Sequence, residues 1–149
     1  MSTVKHTITI NAPIQKVWDT VMDPNRFSDW VTIHRSVKNL SADLQRNGAT
    51  MDQTMHMRGI SFTVHWRLTD VDAPHRAEWN GRGPAGSTAQ ITYALSELSD
   101  DATKFEYMND FNTPGGRLGN IATKMIVGDA SDREARKSLE KLKSLLENS

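Results

Sequence analysis

The sequence predicts an α+β fold in which one antiparallel sheet is covered by a long C-terminal helix. Apolar and polar residues alternate from Val4 to Ile10 and again in several segments between Met51 and Phe111, which is typical of half-buried strands. Neighbouring segments can be paired so that apolar residues face apolar residues. Apolar residues at a three-four spacing follow Thr113, which indicates an amphipathic helix long enough to cover a sheet.

The first strand is predicted from Val4 to Ile10, and a short helix follows it. The helix is indicated by apolar residues at helical spacing, with Asn11 as the expected N-cap and Pro13 in the first turn. Pro24 ends this helix, since proline cannot continue one. We expect Asn25 to cap a second short helix.

Two hairpins have registers that the sequence specifies. Arg58-Gly59 is the expected turn of the first hairpin, because glycine readily adopts the positive φ that such turns require. Each register places apolar residues on one face of the sheet, and a slip by one residue would exchange the faces. The predicted pairs are Met57 with Ile60, Met55 with Phe62, Gln53 with Val64, Leu95 with Phe105, Tyr93 with Tyr107, and Ile91 with Asn109.

The composition excludes several classes of protein. The chain has 149 residues, no cysteine, and 18 basic against 18 acidic residues. Thiol chemistry is therefore absent. Because the basic and acidic residues balance, the net charge gives no reason to expect nucleic acid as the partner. The length fits one domain, residues 1–149. The first ten residues lack the continuous apolar stretch of a signal peptide or membrane span, so we expect a cytoplasmic protein without membrane insertion.

The start of the chain carries a family resemblance. The segment Ile8-Thr9-Ile10-Asn11-Ala12-Pro13, followed by Val17-Trp18, Asp23-Pro24 and Trp30, resembles the opening of the helix-grip (SRPBCC) superfamily. That superfamily comprises START-related lipid-binding, polyketide cyclase-like and Bet v 1-like proteins. The resemblance implies a curved sheet of about seven strands around the long C-terminal helix, two short helices after strand 1, and an apolar cavity.

A narrower resemblance lies in the segment Trp30-Val31-Thr32-Ile33-His34. It looks like an actinobacterial subgroup in which some members are toxin-like components of toxin-antitoxin pairs. No catalytic motif of the superfamily's enzymes maps onto this chain residue by residue. The resemblance therefore favours ligand binding without selecting a reaction.

The inner face of the predicted sheet, together with the helix stripe, supplies the candidate ligand-binding residues. Methionine, tryptophan and tyrosine suit the wall of an adaptable apolar pocket, although a packed core explains the same pattern. The candidates are Trp30, His34, Gln53, Met55, Phe62, Trp66, Trp79, Tyr93, Tyr107, Asn109, Phe111, Leu118, Ile121 and Met125.

The polar candidates differ in what they could do. Buried polar side chains require partners, and Asn109 with Tyr107 could orient an oxygen of a ligand. His34 could act as a general base, but no second residue is placed by the sequence to orient it. His65 is more simply the exposed partner of Asp52, so we expect no metal site. We also expect no cofactor.

Three functions are compatible with these observations. The first is binding of a small, mostly apolar molecule such as a lipid, isoprenoid or aromatic polyketide. The second is a cyclase or dehydratase in which His34, Asn109 or Tyr107 handles a proton or an enol oxygen. The third is a toxin-like role with an antitoxin-like protein partner, which only the narrower resemblance suggests.

Overall fold

The computed structural model describes residues 2–112 and 129–148. Seven strands and three α-helices occur in these ranges. In chain order they are β1 (Ser2–Ile10), α1 (Ile14–Val21), α2 (Phe27–Trp30), β2 (His34–Lys38), β3 (Thr50–Met57), β4 (Ile60–Asp72), β5 (Arg76–Arg82), β6 (Thr88–Ser99), β7 (Ala102–Asn112) and α3 (Asp129–Glu147).

The strands form one antiparallel sheet in the order β1-β7-β6-β5-β4-β3-β2. The sheet curls into a half-barrel, and α1, α2 and α3 accompany it. The predicted α+β class is therefore confirmed. The arrangement is also the helix-grip architecture that the resemblance implies, with the short helices between β1 and β2.

Both predicted hairpin registers are confirmed. In the first hairpin, Met55 lies opposite Phe62, and the turn residues Arg58 and Gly59 have φ values of 53° and 83°. In the second, Tyr93 lies opposite Tyr107. The remaining predicted pairs are also present: Met57 with Ile60, Gln53 with Val64, Leu95 with Phe105, and Ile91 with Asn109. The inner face of the sheet is consequently the predicted one.

The predicted caps of the two short helices are wrong. Pro13 itself occupies the N-cap of α1 and supplies no side-chain hydrogen bond, while the Asn11 backbone N–H donates to Glu147 Oε2 at 2.7 Å. Asn25 does not cap either, because it lies within a short 3-10 helix and its backbone N–H donates to the side chain of Asp23. Asp23 is the N-cap of this 3-10 helix, because it directly precedes Pro24 and proline suits the first turn of a helix.

Helix α3 packs its apolar stripe against the sheet. Leu139, Leu142 and Leu146 are each at most 3% exposed. His6 of β1 and Asp132 of α3 form a hydrogen bond of 2.9 Å near the start of the helix. The predicted helix start at Thr113 and its residues Leu118, Ile121 and Met125 lie outside the described residues. Among the helices of the described ranges, none is long and apolar enough to span a membrane.

Candidate functional site

A cavity of about 120 Å³ lies between the inner face of the sheet and helices α2 and α3. It is comparable to an engineered apolar cavity of roughly 150 Å³ that binds benzene in another protein. The site therefore has room for one aromatic ring or a similar apolar group. The alternative interpretation of the inner face, a core packed without a void, does not describe this structure.

The sheet supplies the mainly apolar wall of the cavity. Strands β3 to β7 contribute side chains of alternating residues, because every second residue of a strand points to the same face. These side chains belong to Met51, Gln53, Met55, Met57, Phe62, Val64, Trp66, Trp79, Ile91, Tyr93, Tyr107, Asn109 and Phe111.

The helical wall has a different character. Helix α2 contributes Phe27 and Trp30, whose rings meet edge to face with centroids 6.2 Å apart. Helix α3 contributes Ser131, Ala135 and Ser138, which are small. The same helix carries leucines at its C-terminal half, where it packs closely on the sheet. Leu139, the first of these leucines, also reaches the cavity.

Gln53 connects two other side chains inside the sheet. Its Oε1 accepts a hydrogen bond from the Trp66 indole N–H at 2.9 Å, and its Nε2 lies 3.0 Å from His34 Nδ1. Gln53 is 5% exposed; its bond to Trp66 is buried, and its bond to His34 is partly buried. Since both ends of its amide are engaged, Gln53 holds the cavity wall in place and has little capacity left for a ligand.

His34 does not line the cavity, although the sequence placed it among the candidates. Its ring meets the ring of Phe27, which does line the cavity, edge to face with centroids 5.6 Å apart. Burial lowers the pKa of His34 below its ordinary value. Gln53 can only donate through Nε2, so His34 Nδ1 accepts and the imidazole is neutral. This histidine therefore contacts two residues of the wall, Gln53 and Phe27, without lining the cavity itself.

Tyr107 and Asn109 form a polar pair within the cavity. Asn109 Nδ2 donates to the Tyr107 hydroxyl at 3.1 Å. Burial raises the pKa of Tyr107 to about 12 despite this bond, and burial raises the pKa of Tyr93 further still. Both phenols are consequently neutral at physiological pH, and they can donate or accept hydrogen bonds without carrying charge.

Two buried polar atoms have no hydrogen-bond partner in the part of the chain that the structure describes. They are the indole nitrogen Nε1 of Trp30 and the amide oxygen Oδ1 of Asn109. Trp30 is 2% exposed and Asn109 is 7% exposed. Both residues line the cavity.

A group of polar side chains ties α3 to the segment after α2. Thr32 donates its backbone N–H to Ser138 Oγ at 3.0 Å and its hydroxyl to Glu134 Oε1 at 2.8 Å. Glu134 and Ser138 also line the cavity. The sequence analysis missed these residues, although the small and polar residues in the inward stripe of the helix were a signal for them.

Most of the predicted binding residues surround the cavity, and three lie outside the described residues. Those at the cavity are Trp30, Gln53, Met55, Phe62, Trp66, Trp79, Tyr93, Tyr107, Asn109 and Phe111. Those outside the described residues are Leu118, Ile121 and Met125. Phe27, Val31 and Ile33 also line it and were missed, because the path of the chain after α2 depends on tertiary packing.

The outer face of the sheet holds a wider, polar depression of about 820 Å³. Arg67 and Arg82 line it together with Asp52 and Asp110, so the formal charges balance. His65 Nδ1 lies 2.7 Å from Asp52 Oδ1, as the sequence predicts. The larger volume reflects an open surface, and we regard the apolar inner cavity as the candidate site. Residues 2–112 and 129–148 contain no group of three or more side chains that could hold a metal ion.

Comparison with known proteins agrees with this architecture. The model of a family described as polyketide cyclase / dehydrase and lipid transport matches residues 1–147. An uncharacterized protein of Mycobacterium tuberculosis, Rv1546, is 23% identical over 130 residues, which is 87% of this chain and 91% of that protein. The toxin Rv0910 of the same organism is 21% identical over 91 residues, covering 61% of this chain and 63% of the toxin.

Solved structures share the fold. The di-domain ARO/CYC protein StfQ from the steffimycin biosynthetic pathway superposes with a TM-score of 0.69 at 18% identity. The match covers 97% of this chain and 44% of that chain. At this identity the likeness shows the fold alone.

Proposed function

Because the chain belongs to the family of polyketide cyclase, dehydrase and lipid-transport proteins, we propose that it binds a small, mostly apolar molecule in its inner cavity. The ligand is of the lipid, isoprenoid or aromatic polyketide type. The observation that carries the proposal is the cavity itself, about 120 Å³ of space with a mainly apolar wall. In water, an apolar molecule gains free energy by leaving solvent for such a site.

The distribution of hydrogen bonds supports binding over turnover. Tyr93 and Tyr107 are neutral, and His34 does not line the cavity. The described carboxylate of the wall, Glu134, accepts a hydrogen bond from Thr32. A cyclisation or dehydration begins with removal of a proton, for which a base poised near neutral pH is most effective. The described wall contains groups that can form hydrogen bonds with a ligand, and it contains no evident base of this kind.

A cyclase-like reaction is the second candidate function. The observation that favours it is the Tyr107–Asn109 pair, which could hold an enol or carbonyl oxygen inside the cavity. StfQ, which shares the fold, is named for this activity. Conversion of a bound poly-β-ketone into a cyclised product, followed by mass spectrometry, would identify turnover. Recovery of the ligand unchanged supports a binding role.

A toxin-like role with an antitoxin-like protein partner is the third candidate. It rests on the similarity to Rv0910, which is named a toxin. Growth arrest on expression, relieved by the product of a neighbouring gene, would support it. Normal growth on expression would remove this candidate.

Tryptophan fluorescence tests the leading proposal. Trp30, Trp66 and Trp79 line the cavity, so a bound apolar molecule must change the surroundings of at least one indole. We expect small aromatic and isoprenoid compounds to shift or quench the emission and to raise the melting temperature, as any ligand of the native state does. A broad apolar library that produces neither change would contradict the proposal.

A further inference from the structure

Two buried polar groups of the cavity wall have no partner in the described part of the chain and are free to bond to a bound molecule. The Trp30 indole can only donate a hydrogen bond, and the Asn109 side-chain oxygen can only accept one. Both atoms are buried, and neither has a partner in the described part of the chain. Native structures rarely leave such groups unpaired, since each costs the desolvation of a polar atom. Their shared position on the cavity therefore points to a ligand.

Another amide and another indole of the wall, those of Gln53 and Trp66, show the contrasting case of paired groups. Gln53 and Trp66 bond to each other, and the second end of the Gln53 amide bonds to His34. Asn109 uses its Nδ2 on Tyr107, so its oxygen alone remains available. Among the fully buried polar side-chain atoms of the described wall, one donor, Trp30 Nε1, and one acceptor, Asn109 Oδ1, therefore have no partner.

These two atoms belong to different parts of the cavity wall. Trp30 lies on α2, which packs against α3 and β2, and β2 is one edge strand of the sheet. Asn109 lies on β7, which is next to the opposite edge strand, β1. One ligand atom need not serve both. A molecule with a hydroxyl and a separate carbonyl can satisfy both groups.

The charge of the wall restricts the ligand further. The described residues that line the cavity include no lysine, arginine or histidine, and the ionisable carboxyl among them belongs to Glu134. An ionised carboxylate placed there would lose its hydration without gaining a counter-charge, and Glu134 would repel it. A free fatty acid in its ionised form is therefore a poor ligand.

We infer that the cavity selects a neutral apolar molecule whose hydroxyl donates to Asn109 Oδ1 and whose carbonyl or ether oxygen accepts from Trp30 Nε1. This inference rests on the proposed function and adds the chemical class of the ligand. Hydroxylated aromatic ketones have these features.

Matched single-ring probes test the inference. Ethylbenzene has no polar group, 4-ethylphenol adds a hydroxyl, acetophenone has a carbonyl, and 3- and 4-hydroxyacetophenone have both. 4-Ethylbenzoate supplies the negative charge. Calorimetric affinities of all six are measured for the unmodified protein, Trp30→Phe and Asn109→Leu. Trp30→Phe removes the indole donor while keeping an aromatic ring, and Asn109→Leu removes the amide at similar volume.

We expect at least one hydroxyacetophenone to bind most tightly and 4-ethylbenzoate most weakly. Trp30→Phe should lose roughly three- to tenfold in affinity for acetophenone relative to ethylbenzene, which corresponds to one hydrogen bond. Asn109→Leu should lose a similar factor for 4-ethylphenol. The affinity for ethylbenzene measured in the same variant accounts for the changed apolar wall, and the ratio of the two affinities within one variant remains informative if the variant is less stable.

Other results overturn the inference. If both variants keep the unmodified protein's discrimination among the probes, the two atoms are satisfied by water and select nothing. Tight binding of 4-ethylbenzoate would contradict the argument from charge. In either case, binding of ethylbenzene would leave the proposed function standing. Failure of every probe to bind would remove the proposed function together with the inference. If Asn109→Leu does not fold, Asn109→Ala provides the same ratio.

Discussion

The Trp66 indole donates a hydrogen bond of 2.9 Å to Gln53 Oε1 inside the sheet. The two residues lie on neighbouring strands β3 and β4, and Gln53 passes the connection on to His34 on β2. Three strands at one edge of the sheet are therefore linked by a chain of polar side chains, two of which belong to the cavity wall. This chain makes Gln53 a structural residue, although it was equally a candidate for ligand contact.

Replacing Gln53 should destabilise the protein whether or not a ligand is present. Gln53→Leu leaves the Trp66 N–H without an acceptor and His34 Nδ1 without a donor. We expect the free energy of unfolding to fall by about 1 to 3 kcal/mol. Chemical denaturation of the ligand-free protein measures it. Gln90→Leu, on the outer face of β6, is the control and should change stability much less. Equal stability of the two variants would show that the chain contributes nothing.

The pH dependence of stability should carry a contribution from His34. Burial holds its pKa in the folded protein below the ordinary value of 6.5. As the pH falls through 6.5, His34 is protonated in the unfolded chain before it is protonated in the folded protein, which favours unfolding. The contribution is therefore complete above that pH and is lost as the pH falls toward the folded-state pKa.

Comparison with His34→Gln isolates this contribution. The glutamine oxygen can still accept from Gln53 Nε2, but it does not titrate. We expect the loss of unfolding free energy between about pH 7.5 and about pH 5.5 to be smaller in the variant. The rest of the chain is identical in the two proteins, so its contributions cancel in the difference. Identical pH profiles would refute the assignment of a neutral, partly buried His34.

Asn109 should behave differently from a buried polar residue with complete hydrogen bonding. Asn109→Leu removes an amide oxygen that has no partner in the described part of the chain and leaves the Tyr107 hydroxyl free to rotate. The stability of the ligand-free protein should therefore stay within about 1 kcal/mol or rise.

Thr103→Val is the matched control for Asn109→Leu. Thr103 is fully buried, and its hydroxyl donates to the Ala12 carbonyl at 2.8 Å. Removing that donor leaves a buried carbonyl unpaired and should cost about 1 to 3 kcal/mol. If Asn109→Leu loses as much stability as Thr103→Val, Asn109 is a structural residue and not a ligand contact.

Gly81 should be intolerant of any side chain for reasons of space. It lies opposite Trp66 in the sheet, and a Cβ atom there would come within 2.6 Å of Trp66 Cε3 and of Val64 Cγ1. Gly81→Ala should push both residues toward the cavity and cost about 1 to 3 kcal/mol. Thermal unfolding and tryptophan emission report the effect. Arg82→Ala, an exposed change on the same strand, should alter neither, and an unperturbed Gly81→Ala would contradict the packing.

The hairpin registers and the inner face could be predicted because a strand repeats every two residues. Placing Met55 opposite Phe62 also determined that Gln53 and Trp66 face inward. The chemistry of the site could not be predicted in the same way. Whether Gln53 bonds to Trp66 or faces a ligand depends on side-chain orientation, which a period of two does not specify.

The contribution of the helices was less predictable than that of the strands. His34 follows Trp30 closely in sequence, yet the chain turns between them and only Trp30 reaches the cavity. The lining by Glu134 and Ser138 depends on where α3 crosses the sheet. The sequence could not identify Asp23 as the N-cap of the 3-10 helix, because the nearby Asn25 has a similar preference for N-cap positions.

The central claim is that the inner cavity holds a neutral apolar molecule, and native mass spectrometry of the protein purified from its own host tests it most directly. The control is Ala135→Phe, purified in parallel, because the added ring projects from α3 into the space that Ala135 now lines. We expect the unmodified protein to retain a neutral compound that is released on denaturation, and the folded variant to carry none. An unmodified protein that carries no small molecule, and takes up none from a library of apolar compounds, would contradict the account.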